Sequence, residues 1–168
     1  MRPAENDYAP YYKGYIEKIQ GDDILKILLN QTKECQSVFN SFPVNKGDYQ
    51  YAPGKWSVKE VIGHIMDTER VFAYRALCIA RGEKQPLPGF EQDDYVKEGK
   101  FNKRTLDDII YEFRLMRESN LLMFRNFDEE MLNRRGNASG YDVTVNALLF
   151  MIAGHAQHHM DKLNELYI

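Results

Sequence analysis

The sequence predicts an all-α protein, a four-helix bundle in a single domain spanning residues 1–168, and three observations carry that prediction. Four stretches of about twenty residues place apolar side chains three or four apart, the period that gives a helix one buried face. Helix punctuation brackets them: Ser57, Thr105 and Thr144 at starts, Pro43 and Gly82 at ends. A chain of 168 residues with 43% hydrophobic and 28% charged side chains has the composition of a globular protein and the length of one domain.

The opening, residues 1–21, carries tyrosines without helical regularity and reads as a segment laid over the bundle surface or as a contact between subunits. Gly21 and Asp22 precede the first long helix, about residues 23–42. Its expected apolar face is Leu25, Leu28, Leu29, Thr32, Cys35, Phe39 and Phe42, and Pro43 stops it. Gly47, Pro53 and Gly54 punctuate the connection that follows. The second helix, residues 57–81, presents Val58, Val61, Ile65, Phe72, Ala76 and Ile79 to the core. At its start Ser57 and Glu60 have the S-x-x-E spacing of a capping box, in which each side chain satisfies a backbone N–H of the first turn.

Gly82 ends that helix, and residues 83–104 show no further pattern. Loops of such length are uncommon and often functional. Pro86, Pro88 and Gly89 with Phe90, Tyr95 and Phe101 mark an ordered lid or a subunit contact, and the length also allows a crossover along the bundle. Thr105 and Asp108 supply a second cap. The third helix, residues 105–127, buries Leu106, Ile109, Ile110, Phe113, Met116, Asn120, Met123 and Phe124; having no histidine, it is expected to wall a site rather than to ligate. Residues 128–143, with Gly136, Asn137 and Gly140, form a returning loop whose Arg134 and Arg135 either meet an anionic substrate or stay solvated. Thr144 caps the last helix, residues 144–166.

The last helix carries the chemistry. Leu148, Ile152, His155, His159, Leu163 and Leu166 follow one another at core-seam spacing, so two histidines lie inside an apolar stripe. Residues four apart on a helix have Cβ atoms about 5–6 Å apart, close enough for two imidazoles to share one ion. A lone histidine on an apolar face is usually a core residue bonded to a carbonyl or carboxylate, so a third ligand has to decide. His64 supplies it: it lies beside Val61 and Ile65 on the buried face of the second helix. Three of the chain's four histidines therefore point inward. Each buried ring needs a polar partner for its nitrogens, and one shared cation meets that need for all three. Gly63 and Gly154 immediately precede His64 and His155; mid-helix glycine costs about 1 kcal/mol relative to alanine, which suggests close backbone approach. The alternative is a metal-free buried polar network.

Composition excludes several classes. The balance of 22 Lys plus Arg against 25 Asp plus Glu gives a net charge of -3 with scattered basic residues, so no nucleic-acid partner is expected. No apolar run long enough to span a membrane and no secretory leader pattern appears, which points to a cytoplasmic protein without a membrane partner. Cys35 and Cys78 fall inside helical patterns and read as packing residues, not as a disulfide framework.

The segments KWSVKEVIGHIMDTE (Lys55 to Glu69), LPGF (Leu87 to Phe90) and TVNALLFMIAGHAQHH (Thr144 to His159) together resemble the DinB/YfiT-like superfamily of metal-binding four-helix bundles. The resemblance runs from the first long helix to the C-terminus. It implies an up-down-down-up bundle with a long connection between the second and third helices, and one divalent ion on His64, His155 and His159, the triad that helix geometry also selects. Relatives of this kind include bacillithiol-using thiol S-transferases, mycothiol-dependent isomerases and proteins assigned as metal-dependent hydrolases, and dimers are frequent, so a homodimer is expected. This chain departs from many relatives in carrying HHMDKL from His158 onward, where they have a basic residue or Gly-Gln after the last histidine.

Three protein nitrogens leave a position for water or substrate, as catalytic zinc sites do. Such a centre serves hydrolysis or thiol transfer, on a small-molecule substrate and, for transfer, with a low-molecular-weight thiol. Zinc is the first expectation for the metal and nickel the second. Ala156 stands where H-E-x-x-H proteases have their glutamate base, so a base has to come from elsewhere, with Asp67 and His158 the nearest candidates. Asp67 can instead orient a histidine or pair with Arg70, and His158, about 100° round the helix from His159, belongs at the rim or in solvent. The contrasting reading is a non-catalytic ligand-binding or stress-response module with a structural metal.

Overall fold

In the computed structural model, which describes residues 1–167, the chain runs α1 (Lys13–Glu17), α2 (Ile24–Asn40), α3 (Val58–Ala80), α4 (Gln92–Gly99), α5 (Leu106–Phe124), α6 (Glu129–Asn133), β1 (Arg135–Ala138), β2 (Tyr141–Thr144) and α7 (Val145–Leu166). The four long helices start where their capping side chains stand. Asp23 accepts from Lys26 N at 3.1 Å, Thr105 from Asp108 N at 3.2 Å, and Thr144 from Ala147 N at 3.1 Å. Ser57 and Glu60 form the complete capping box: Glu60 Oε2 accepts from Ser57 N at 2.8 Å and Ser57 Oγ accepts from Glu60 N at 3.2 Å.

Within the bundle, α2 and α3 each pack against both α5 and α7, so α7 stands diagonally across from α5. The expected seam of α3 is buried throughout. Of the expected α2 face Leu28, Thr32, Cys35, Phe39 and Phe42 are buried, and Ile24 and Gln31 join them, whereas Leu29 is 56% exposed. The 24-28-31-35 line turns toward the other helices, and Leu29, one residue on from Leu28, points about 100° away. Leu166, in the last turn of α7, is also exposed.

From Val145 to Ala156 only Asn146 of α7 escapes full burial. A helix apolar all round needs neighbours all round, and the N-terminal segment provides the missing cover. Ile16 and Ile19 are buried, α1 packs on α7, and Arg2 donates to the carbonyl oxygens of Ile16 and Ile19 at 2.7 and 2.6 Å. Residues 83–104 contain α4 and a 3-10 turn at Phe101–Lys103, so this connection has more structure than its sequence suggests. The returning stretch before α7 likewise holds α6 and a hairpin, paired from Arg135 with Thr144 to Ala138 with Tyr141. Arg134, in that stretch, donates to the Ala80 carbonyl at the end of α3 at 2.6 Å, and Arg135 pairs with Asp7.

One buried ion pair locks three helices together. Arg117 of α5 donates through Nε to Glu69 Oε1 at 2.8 Å and through Nη2 to Oε2 at 2.7 Å, and Asn120 and Gln31 complete the network at 3.1 and 3.3 Å. Among the described residues no helix is long and apolar enough to cross a membrane.

Candidate metal centre

The three inward histidines meet. His64 comes from the first half of α3, His155 and His159 from consecutive turns of α7, the helix pair with the most extensive mutual packing. His155 Nε2 lies 2.9 Å from His64 Nε2 and 3.1 Å from His159 Nε2, and all three candidate ligand atoms fall within 4.8 Å of one another. Both separations are shorter than two zinc–nitrogen bonds of about 2.0–2.1 Å laid end to end, so one ion can reach each pair. Three neutral rings turned on one point cannot all be satisfied by each other, since each offers one donor and one acceptor. A cation in the middle accepts all three lone pairs.

Burial sets the charge state. His64 is pushed down to about 4 by burial, with the neighbouring His158 and Lys162 charges adding to it. Burial likewise brings His159 down to about 2, helped by His64, and holds His155 well below its usual value, helped by His159 and His64. The rings are therefore neutral at physiological pH, the form that ligates metals. No aspartate, glutamate or cysteine joins the cluster among the described residues.

The two glycines have the packing role that their position suggested. A Cβ on Gly63 would stand 2.4 Å from the Phe101 ring, and one on Gly154 would stand 2.1 Å from the Tyr15 carbonyl oxygen. The aromatic turn at Phe101 and the N-terminal segment thus press directly on the backbone beside each histidine.

Several neighbours escaped the sequence reading. Thr68, one turn after His64, places Oγ1 3.5 Å from His64 Nδ1, on the far side of the ring from the cluster. Its signal in the sequence is a hydroxyl four residues after His64, on the same face of the helix. The Trp56 ring lies 4.7 Å from the His64 ring, and Tyr15 meets His155 edge-on at 5.5 Å and His158 at 5.2 Å. Asp67 pairs with Arg70 at 3.5 Å and hydrogen-bonds none of the three histidines; burial raises its carboxyl above the usual range. His158 is half-buried at the rim, packed on Tyr15 and His159.

A cavity of about 760 Å³ opens on His64 and His155. Tyr11, Tyr12, Tyr15, Phe72, Phe90 and Tyr95 supply most of its aromatic wall. A second opening of about 320 Å³ reaches His159 from the other side, beside Trp56, His158, Lys55 and Lys162; Tyr15 and Gln92 border both. The third long helix, α5, contributes to neither, which corrects the expectation that it walls the site. Lying across the bundle from α7, it is shielded by α3, and the N-terminal segment and the α3–α5 connection form the walls in its place.

Comparison with known proteins follows the same outline. The profile of the DinB superfamily matches residues 28–162. YfiT from Bacillus subtilis, described as a probable metal-dependent hydrolase with an unusual four-helix bundle topology, superimposes with a TM-score of 0.75 at 14% identity over 99% of this chain and 91% of that one. The mycothiol-dependent maleylpyruvate isomerase gives 0.70 at 13% identity over 88% of this chain, which spans only 62% of the isomerase. A DinB-like protein of Bacillus subtilis, YjoA, gives 0.61 at 20% identity over 85% and 87% of the two chains. No curated protein matches the sequence.

Proposed function

The chain belongs to the DinB superfamily, and from that premise we propose that it is a metal-dependent enzyme whose His64, His155 and His159 hold one divalent ion. The reading rests on one observation above all: three buried, neutral imidazoles turn their Nε2 atoms on a common point that no carboxylate of the described residues shares. Three nitrogens without a fourth protein ligand leave a position open toward the cavity, as in catalytic rather than structural zinc sites. Neutral imidazoles suit zinc first and nickel second.

When bound, such an ion supplies an activated water or a stabilised thiolate at neutral pH. The chain's own residues do the rest. Thr68 fixes the His64 ring through Nδ1 so that Nε2 faces the cluster. Trp56 and Tyr15 cover the rings and limit water access. His158, at the mouth of the second opening, is the group we assign to proton transfer; Asp67, engaged with Arg70, is the weaker candidate.

Between hydrolysis and thiol transfer, two openings onto one centre favour a reaction with two small-molecule partners, and the mycothiol dependence of the structurally similar isomerase favours a low-molecular-weight thiol as one of them. The test is metal content by plasma mass spectrometry on tag-free protein, wild type beside H64A, H155A and H159A. About one ion per chain, lost in each variant, supports the centre. Wild-type protein that takes up no zinc or nickel overturns it. With the metal in place, turnover of a chromogenic electrophile that depends on added thiol separates transferase from hydrolase.

A further inference from the structure

His64, Thr68, Phe72 and Arg75 follow one another along a single face of α3, spaced four, four and three residues apart. The first three line the main cavity. Arg75 is only 2% exposed and lines an adjoining opening of about 290 Å³ that shares Gly89, Phe90 and Tyr95 with the main cavity. Four of its neighbours border the main cavity: its guanidinium stands over the Phe72 and Phe90 rings at 5.7 and 5.9 Å, Nη2 donates to Ser139 Oγ at 2.9 Å, and Tyr12 lies beside it. Nη2 also donates to the Pro88 carbonyl oxygen at 2.6 Å.

What Arg75 lacks is a counter-charge. Among the described residues no carboxylate comes within 4.0 Å of it, and its hydrogen bonds all leave from Nη2, so Nε and Nη1, which carry three of a guanidinium's five N–H donors, make none. Arg117, equally buried, shows how this protein treats a structural arginine: it is forked onto Glu69 and supported by Gln31. Burying a guanidinium without an anion is costly. A fold that satisfies one buried arginine and leaves the other open keeps the second for something that arrives. Glu91 and Asp94 also border the cavity but are solvent-exposed at its mouth, where screening weakens their charge.

We propose that Arg75 is the specificity-determining residue of this cavity and selects a small molecule that carries a carboxylate at the end remote from the histidines. By helix rise, Arg75 and His64 are about 16 Å apart along α3, so the ligand is elongated: its reactive end reaches the histidines while its carboxylate lies at the Arg75 end, with Tyr12 and Ser139 as neutral partners and aromatic rings along its length. The proposal rests on the preceding reading in taking the histidine end as the reactive one.

The test is calorimetric titration of zinc-loaded protein with benzoate and with its neutral isostere benzamide. Wild type should bind benzoate at least tenfold more tightly, R75Q should lose that preference while keeping its metal, and R75K should retain part of it. Benzoate affinity unchanged in R75Q would place the carboxylate elsewhere, and equal affinities in wild type would remove the basis for an anion site. A variant-free measurement guards against misfolding: the Arg75 Nε–H resonance of ¹⁵N-labelled wild type should shift with benzoate and not with benzamide, and an unmoved resonance overturns the proposal. H155A separates this claim from the metal reading, because its benzoate preference should survive whether or not an ion is bound.

Discussion

The carbonyl oxygen of Tyr15 occupies the space that a side chain on residue 154 would need: a Cβ built on Gly154 would lie 2.1 Å from it. This contact seats the N-terminal segment against α7 one residue before His155, and through it the covering of the histidine cluster depends on the absence of a single methyl group.

The first prediction follows. Alanine gains about 1 kcal/mol over glycine inside a helix, but a backbone oxygen cannot swing aside as a side chain does, and forced overpacking costs about 1–3 kcal/mol. G154A should therefore lower the denaturant midpoint and speed proteolytic cleavage within residues 1–20. A variant that is more stable and equally resistant would show that the segment is loosely seated.

The Arg117–Glu69 pair gives a second prediction. Both side chains are at most 2% exposed, so removing one strands the other's charge in the core. R117M should cost about 3–5 kcal/mol in urea unfolding, and adding E69M should recover much of the loss, because replacing a whole buried pair with apolar groups is far cheaper than breaking it. A double variant no better than R117M would mean that the pair's geometry, more than its charge balance, holds α2, α3 and α5 together.

Metal-free protein should lose stability in mild acid. The His64 pKa, about 4 in the folded chain, lies below the 6.5 of an unperturbed ring, so the unfolded chain takes up a proton that the folded one refuses. Stability is then full above about pH 6.5, falls as the pH drops through the interval down to about 4, and continues to fall below that for His159, whose value is about 2. Urea midpoints at pH 7.5, 5.5 and 4.5 measure it. The fall should be shallower in H64Q, and identical profiles for the two proteins would mean that His64 is not held neutral.

The two thiols should react very unequally. Cys35 has no exposed surface, and burial pushes its thiol up to about 12; Cys78 is only half-buried. Native protein treated with iodoacetamide should gain one label, at Cys78, and a second only in denaturant. Fast native labelling of Cys35 would point to frequent opening between α2 and α5.

Local chemistry accounts for what could be read in advance. Ser57, Thr105 and Thr144 cap helices because their hydroxyls satisfy backbone donors two or three residues away, and a 3.6-residue period leaves no doubt about the seam of α3. The histidine triad was equally legible: one helical turn joins His155 to His159, and His64 lies on a face that has to point inward. Even the glycines beside them announced a close approach, though not what approaches.

Other features depend on which surfaces meet, and spacing along the chain does not encode that. Leu29 faces solvent because the Ile24, Leu28, Gln31 and Cys35 line of α2 takes the contacts with its neighbours, and Arg117, polar in sequence, is buried because Glu69 stands opposite it on α3. The same limit hid the role of the N-terminal tyrosines and the α3–α5 connection as cavity walls, and that of Arg75 as a buried charge without a counter-charge. The sequence by itself determined four helices, the caps of three of them, their buried stripes and three histidines turned inward, since each follows from interactions within a turn or two of helix. Only the tertiary structure decided how those histidines converge, what encloses them and which buried charges are balanced, because these are contacts between residues as far apart as Tyr15 and Gly154, made when the helices pack.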